Sequence, residues 1–483
     1  MRPCLVRSAI VPLVLAPFAA GAQLVTPKTV PVRQGEQFEI FPAARAGMAG
    51  VRLALDDTLA DPFANPARAT WVGAPVIFGA PFFHSLSRGG GGRTMPLGAA
   101  GARGHWGAAG AVAFQQLDRA GPTWNLPTSE RTAINRYAAG ALARRAGAWS
   151  FGGGAFAASL GAVDGVDQLY AGSDRIEQDG SLLDVRLGAT RQWQDGRALD
   201  LVLVHNRTDV THDVHYTTFT WNAATRTQDR AERGEHNVDR THIWGAHGRF
   251  VQPFGVDGWR VGTQLTVNRL SHPKIPNYTV MNIPRDPGTT YAGDVGLGLA
   301  RLVGRSSFGV DVVYEPMTSA TWATAAHDTT GGAGRPIVRT GERTVDNRFR
   351  FGNTHLRLGV GRAAAPRDSG SSFGYELGLG LYAIDYVLRQ TDHVRGTFRR
   401  QHEQWVEWTP TFALQWRRRE FDLRYSFRVT CQGAGDCLPL PQGDDVTVAA
   451  PSTGGVIVAP SAPLRFDGGR ASVHQFAIVV PIR

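Results

Sequence analysis

The chain has 483 residues, of which 58 are glycine and 19% are charged, and its formal net charge is +10. Beyond the N-terminus no stretch approaches the ~20 uninterrupted apolar residues of a membrane helix, which excludes a helical membrane protein. The basic residues are scattered along the chain instead of clustered, which argues against a nucleic-acid-binding surface.

The N-terminus reads as a targeting segment. Arg2 and Arg7 give a short positive region, an apolar run follows from Ala9 to about Ala20, and Ala20-Gly21-Ala22 fits a small-x-small cleavage site. A signal peptide over 1–22 is expected, with export as its consequence. Residues 23–100 do not alternate for long and hold frequent proline and a glycine run at 89–92. This segment is expected to fold into the mouth of a barrel as a plug or hatch.

From residue 101 onward, apolar and polar residues alternate with period two, the mark of strands with two unlike faces. Strands are predicted over 101–118, 131–145, 148–163, 181–195, 198–213, 238–254, 259–272, 290–303, 306–321, 345–362, 372–390, 402–417, 420–432 and 469–483. Short connections fall at Arg145-Ala146-Gly147, Asp195-Gly196-Arg197, Gly255-Val256-Asp257-Gly258, Gly304-Arg305, Ala363 to Ser371 and Arg418-Arg419. Several carry glycine at the tip, as tight hairpins require. Long connections fall at 119–130, 164–180, 214–237, 273–289, 322–344, 391–401 and 433–468. Short turns alternating with long loops are the signature of a bacterial outer-membrane barrel. The expected fold is therefore all-β: a transmembrane antiparallel β-barrel of about fourteen strands over 101–483, with the N-terminal plug or hatch over 23–100.

Parity assigns the two faces. Trp193, Trp259, Phe308, Phe373, Trp416 and Phe421 lie beside the short turns, where an interfacial aromatic girdle belongs. Asp184, Arg186, Asp200, Arg260, Asp294, Asp311, Glu376, Asp422, Arg424 and Arg428 point into the lumen, to line a wet channel, pair with a plug or pair with one another. In the stretch 148–163, Trp149 and Phe151 share one parity, while Phe156, Ala158 and Leu160 share the other. The switch falls across Gly152-Gly153-Gly154. A bulge there would restore a common outward face; a glycine bend that makes room for the plug is the alternative. A similar slip lies between Phe351 and Leu356.

Cys431 and Cys437 flank a glycine-containing loop, and in an oxidising compartment they are expected to form a small-loop disulfide. His212-x-x-His215 has metal-ligand residue types, but on a strand its two imidazoles diverge, so no metal and no cofactor is expected. Serine, histidine and aspartate occur in loops without a spacing that singles out a catalytic set, so the chain is not expected to be an enzyme.

One stretch carries a resemblance. Ala46-Gly47-Met48-Ala49-Gly50-Val51-Arg52-Leu53-Ala54-Leu55-Asp56-Asp57, followed by Asn65-Pro66-Ala67, resembles the hatch of the outer-membrane long-chain fatty acid transporter family (FadL/TodX-like, with PorV-like relatives). Arg68-Ala69 stands where that family commonly carries glycine or leucine. The resemblance implies a fourteen-strand barrel with Gly47, Gly50, Asp56, Asp57, Asn65, Pro66 and Ala67 in the hatch. It also implies a kink in the third strand, here at Gly152, Gly153 and Gly154, that opens a lateral path to the membrane. The function it implies is passive transport of hydrophobic small molecules, of long-chain fatty acid or hydrocarbon type. The alternatives are a PorV-like barrel that binds exported proteins and a polar-solute porin. Expected partners are outer-membrane lipids, a hydrophobic small-molecule ligand and the barrel assembly machinery, with no nucleic acid. The expected location is the bacterial outer membrane.

Overall fold

The computed structural model describes residues 39–42, 45–55, 61–86, 89–120, 132–163, 173–222, 225–255, 258–271, 288–325, 328–330, 336–366, 370–431 and 470–482. The expected signal peptide, Asp56, Asp57 and Cys437 lie outside the described residues.

The strands are β1 (Val76–Gly79), β2 (Phe82–Leu86), β3 (Gly89–Arg103), β4 (Trp106–Ala120), β5 (Thr132–Ala146), β6 (Trp149–Leu160), β7 (Arg175–Gln192), β8 (Ala198–Asn222), β9 (Thr227–Pro253) and β10 (Trp259–Ser271). They continue as β11 (Thr289–Val303), β12 (Ser306–Thr324), β13 (Thr329–Thr330), β14 (Pro336–Val338), β15 (Arg343–Arg362), β16 (Ser372–Asp392), β17 (Thr397–Arg417), β18 (Asp422–Cys431) and β19 (Arg470–Pro481). All but β13 and β14 belong to one antiparallel sheet. β1 and β2 are two halves of a single wall strand, interrupted at Ala80-Pro81, and both pair with β3 on one side and β19 on the other. The sheet is thereby closed into a barrel of sixteen staves.

Closure is what the side chains demand. On β7, Leu182, Asp184 and Arg186 face inward and are buried, while Leu183, Val185 and Leu187 face outward and are exposed. The same outward apolar face recurs at Val112, Leu142, Leu203, Leu265, Leu297, Val312, Leu377 and Ile478 around the wall. A wall that is apolar on its outer face satisfies its backbone only by pairing every strand on both sides. No helix among the described residues is long and apolar enough to cross a membrane.

Several expectations need correction. The count is sixteen, not about fourteen, because the barrel starts at Val76 and not near residue 101. Residues 76–86 and 89–100, assigned to the plug on sequence, lie in the first two staves. Gly, Ala and Pro dominate this region and give it little strand propensity. Its extended state is set by pairing with β4 and β19. The long connections at 214–237 and 391–401 are largely strand: β8 and β9 extend as a hairpin to Asn222 and Thr227, and β16 turns into β17 between Asp392 and Thr397. Segment 322–344 holds the small β13–β14 hairpin. The short turns at 145–147, 195–197, 304–305 and 418–419 link consecutive strands as predicted, with Gly196 (φ 85°) and Gly304 (φ 57°) in the left-handed region.

The glycines Gly152, Gly153 and Gly154 lie on the fifth stave, not the third, and no bulge occurs there. β6 pairs with β5 and β7 in unbroken register from Trp149 to Leu160. Phe156, Ala158 and Leu160 are therefore inward-facing and buried. Pairing through Phe351–Leu356 is likewise continuous, which turns Phe349 and Phe351 inward. What looks like a change of phase in the sequence is a change of lumen chemistry.

At the short-turn end the predicted aromatics pair along the outer wall. Phe373 and Trp416 lie 6.1 Å apart, and Trp416 and Phe421 lie 5.3 Å apart. Arginines stack on several tryptophans: Arg191 on Trp193 at 4.6 Å, Arg418 on Trp416 at 4.8 Å and Arg301 on Trp259 at 5.5 Å. Cys431 is fully buried at the end of β18 and is disulfide-bonded.

Candidate functional site

The inner face has two zones, one towards the short turns and one towards the long connections. The first is occupied by two stretches that precede the barrel. Arg45–Leu55 contains a 3-10 turn at Ala46–Met48, with Ala49 and Gly50 at positive φ (54° and 74°) bending the chain back along the wall. Ala49 N donates to Thr411 Oγ1 at 2.9 Å, and Thr411 Oγ1 donates to Gly47 O at 2.8 Å. Arg52 N and Leu53 N donate to Asp311 Oδ2 at 2.7 and 3.1 Å. Burial lowers the Arg52 guanidinium to about 10, with nearby Arg357 adding to the effect, so it stays charged at neutral pH.

The second stretch runs from Asp61 into the 3-10 helix Pro66–Trp71. Asn65 is its N-cap: its Oδ1 accepts from Ala67 N at 3.1 Å, and Pro66 sits where no N–H is needed. Asn65 Nδ2 also donates to Asp200 at 3.3 Å, and Thr70 donates to Ser150 at 2.8 Å. Arg186, held by Asp184 at 2.7 Å, donates to Ala64 O at 3.1 Å.

Asp200 is the knot between the two stretches. It accepts from Arg68 Nε at 3.1 Å, from Asn65 and from Arg249 Nη1 at 3.3 Å. Arg249 in turn donates to Leu53 O at 3.1 Å and Leu55 O at 3.3 Å. Both stretches thus converge on one buried acid–base pair on β8 and β9.

Wall glycines let the backbone lie this close. A Cβ on Gly262 would sit 1.9 Å from Leu53 O, and one on Gly188 would sit 2.0 Å from Asn65 Oδ1. Gly152 faces Pro66 and Ala67 in the same way and Gly154 faces Pro66, so two of the three glycines make room for a neighbour, while Gly153 faces outward. Of the motif residues, Gly47, Gly50, Asn65, Pro66 and Ala67 all lie in these stretches. The inward charges predicted from parity are there too: Asp184, Arg186, Asp200, Asp311 and Asp422 are all buried.

The second zone is apolar. Phe156, Leu160, Leu182 and Val210 from β6 to β8 and Met317, Phe349, Phe351, Leu388 and Trp405 from β12 to β17 belong to one buried cluster. Phe41 and Phe63 join it from the lumenal stretches and pack edge-on at 6.0 Å. Sequence reasoning missed this lining, although the two parity slips were its signal. His212 is buried and inward while His215 is exposed, so the pair diverges as expected. No group of three potential metal ligands occurs among the described residues.

Where the cluster meets the polar zone, four strands present a mixed patch. The register sets Glu315 opposite Asn353, Met317 opposite Phe351, Tyr382 opposite Glu407 and Ile384 opposite Trp405. Tyr382 OH donates to Glu315 Oε2 at 3.2 Å and receives Asn353 Nδ2 at 2.8 Å. His355 stacks on Tyr382 at 3.8 Å and reaches Glu315 Oε2 at 3.2 Å.

No family model matches the chain, and no curated protein does. Solved structures that resemble it are β-barrels of low identity. A FadL homologue from Pseudomonas aeruginosa is 10% identical, with a TM-score of 0.42 over 92% of this chain and 99% of that one. The toluene transporter TbuX of Ralstonia pickettii is 12% identical, with a TM-score of 0.39 over 92% of this chain and 100% of that one. The ferric-catecholate import receptor Fiu of E. coli in its closed form is 8% identical, with a TM-score of 0.38 over 85% and 82%. Likeness at this level assigns neither a family nor a substrate to the chain.

Proposed function

We propose that this chain is a bacterial outer-membrane barrel that passively carries hydrophobic small molecules through its lumen, with the stretches 39–42, 45–55 and 61–72 as the plug. The observation that carries the reading is the inward apolar cluster. A barrel in lipid needs apolar residues on its outer face only, and a polar-solute porin keeps its interior polar. Here Phe156, Leu160, Phe349, Phe351 and Leu388 are turned inward and buried. Such a lining favours a greasy cargo at about 25 cal/mol per Å² of apolar surface removed from water. The acid–base knot at Asp200 and Arg249 supports the plug: it holds the lumenal stretches by bonds that can be exchanged for water.

Location in the outer membrane is supported by the closed apolar exterior and by the aromatic and arginine pairs at the short-turn end, whose charges suit lipid headgroups. Export by a signal peptide and insertion by the barrel assembly machinery belong to the same proposal.

The test is the refolded full chain reconstituted in lipid. Saturable binding of an apolar fluorescent probe together with low basal ion conductance is expected. Large open conductance without probe binding would replace this reading with a polar-solute porin. Silence in both assays would favour a barrel that binds exported proteins.

A further inference from the structure

We infer that the patch where β12, β15, β16 and β17 meet binds the head of an apolar molecule bearing a cationic, hydrogen-bond-donating group, an alkyl- or arylammonium in class. The inference rests on the hydrophobic-cargo reading above and narrows it.

Glu315 is served by Tyr382 and His355, but two other acceptors of the patch are not served. The Tyr382 hydroxyl hydrogen is committed to Glu315, and the Asn353 amide donates to Tyr382. Asn353 is only 6% exposed, and its Oδ1 has no partner. In this arrangement Tyr382 accepts from Asn353 Nδ2 and donates to Glu315, so it has no hydrogen left for Asn353 Oδ1. Glu407, across from Tyr382 and 5% exposed, has no hydrogen bond or ion pair among the described residues. A buried acceptor left unsatisfied, as Asn353 Oδ1 is, destabilises the unliganded patch. An ammonium supplies the donors that both groups lack.

The surroundings suit the rest of such a molecule. Trp405 shares the inner face with Glu407, one period-two step away on β17, and lies across from Ile384. Its indole is the aromatic side chain next to Glu407 on that face, while the Tyr382 ring is stacked on His355. Phe351 and the cluster beyond receive the apolar body. A carboxylate head would meet Glu315 and Glu407 as like charges. Arg357 on the same face lies one step nearer the short turns, across from Asp311.

The test uses three probes with one apolar body: 4-phenylbutylammonium, 4-phenylbutanol and 4-phenylbutyrate. Each is titrated calorimetrically into the full chain in lipid nanodiscs. The ammonium is expected to bind at least about tenfold tighter than the alcohol, and the carboxylate more weakly than the alcohol. Glu407→Gln should bring the ammonium's affinity towards that of the alcohol, and the ratio of the two affinities is the readout. Equal or tighter carboxylate binding by the natural chain overturns the inference but leaves the hydrophobic cargo standing. Binding of none of the three overturns the cargo reading along with it. The comparison on the natural chain decides even if the variant fails to fold.

Discussion

Asp200→Ala should convert a quiet barrel into a conducting one. The Asp200 carboxylate is 4% exposed and holds Arg68, Arg249 and Asn65 together. Arg249 also carries Leu53 and Leu55, so one side chain links both lumenal stretches to β8 and β9. Removing it strips the buried Arg249 and the part-exposed Arg68 of their carboxylate, and breaking a buried pair from one side costs about 3–5 kcal/mol. That cost falls only on the state in which the stretches Arg45–Leu55 and 61–71 lie against the inner wall. A barrel whose wall is closed by backbone pairing can avoid it by letting the stretches leave and water come in. Single-channel conductance in planar bilayers should rise, and protease should cut within residues 61–72. Asp195→Ala is the control, since its pair with Arg197 at 2.7 Å has side chains 53% and 42% exposed and is worth little. Unchanged conductance and unchanged protection in Asp200→Ala would mean that the knot holds nothing closed.

The knot also marks where sequence reasoning stops. The barrel class is legible because alternation is a local property, and parity alone sends Asp184, Arg186, Asp200 and Asp311 inward. That Asp200 meets Arg68, 132 residues away, is not local and leaves no periodic trace. The first two staves were missed for a related reason. Gly89–Gly92 and the small residues after Pro96 have no alternation to detect, and they are strands because β4 and β19 leave them no other way to pair. The parity slip at Phe156 reads as a bulge or as a glycine bend that makes room for the plug, and neither reading foresees that Phe156 and Phe351 face an apolar lumen. A two-faced strand is read on the premise that its inner face is polar. Where a barrel lines its interior with phenylalanine and leucine, that premise fails, and the failure itself locates the apolar compartment. The hatch motif was legible as turn chemistry at Asn65 and Pro66, and the wall glycines that accommodate it were legible only as glycines.

Gly262→Val should separate the wall from its contents. Valine suits a strand better than glycine does, so β10 gains in local propensity. Its Cβ, however, would lie 1.9 Å from Leu53 O and 2.2 Å from Leu53 C. These are backbone atoms, so no side-chain rotation relieves the overlap. Overpacking of this kind costs about 1–3 kcal/mol at one site. Gly188→Val adds a second overlap, against Asn65 Oδ1 on the other stretch. The two together should leave a barrel that still resists heat in gel mobility but no longer protects residues 39–72, with conductance raised as in Asp200→Ala. Gly153→Val is the matched control from the outer face, where an added Cβ meets only Leu187 at 3.8 Å, and it should change nothing. The comparison discriminates because it opposes two terms that usually act together. If the wall and the lumenal stretches formed one indivisible core, Gly262→Val would unfold the barrel. If the stretches are a removable plug, the wall survives and only the lumen opens, since the closed sheet satisfies its own hydrogen bonds and loses nothing when its contents depart.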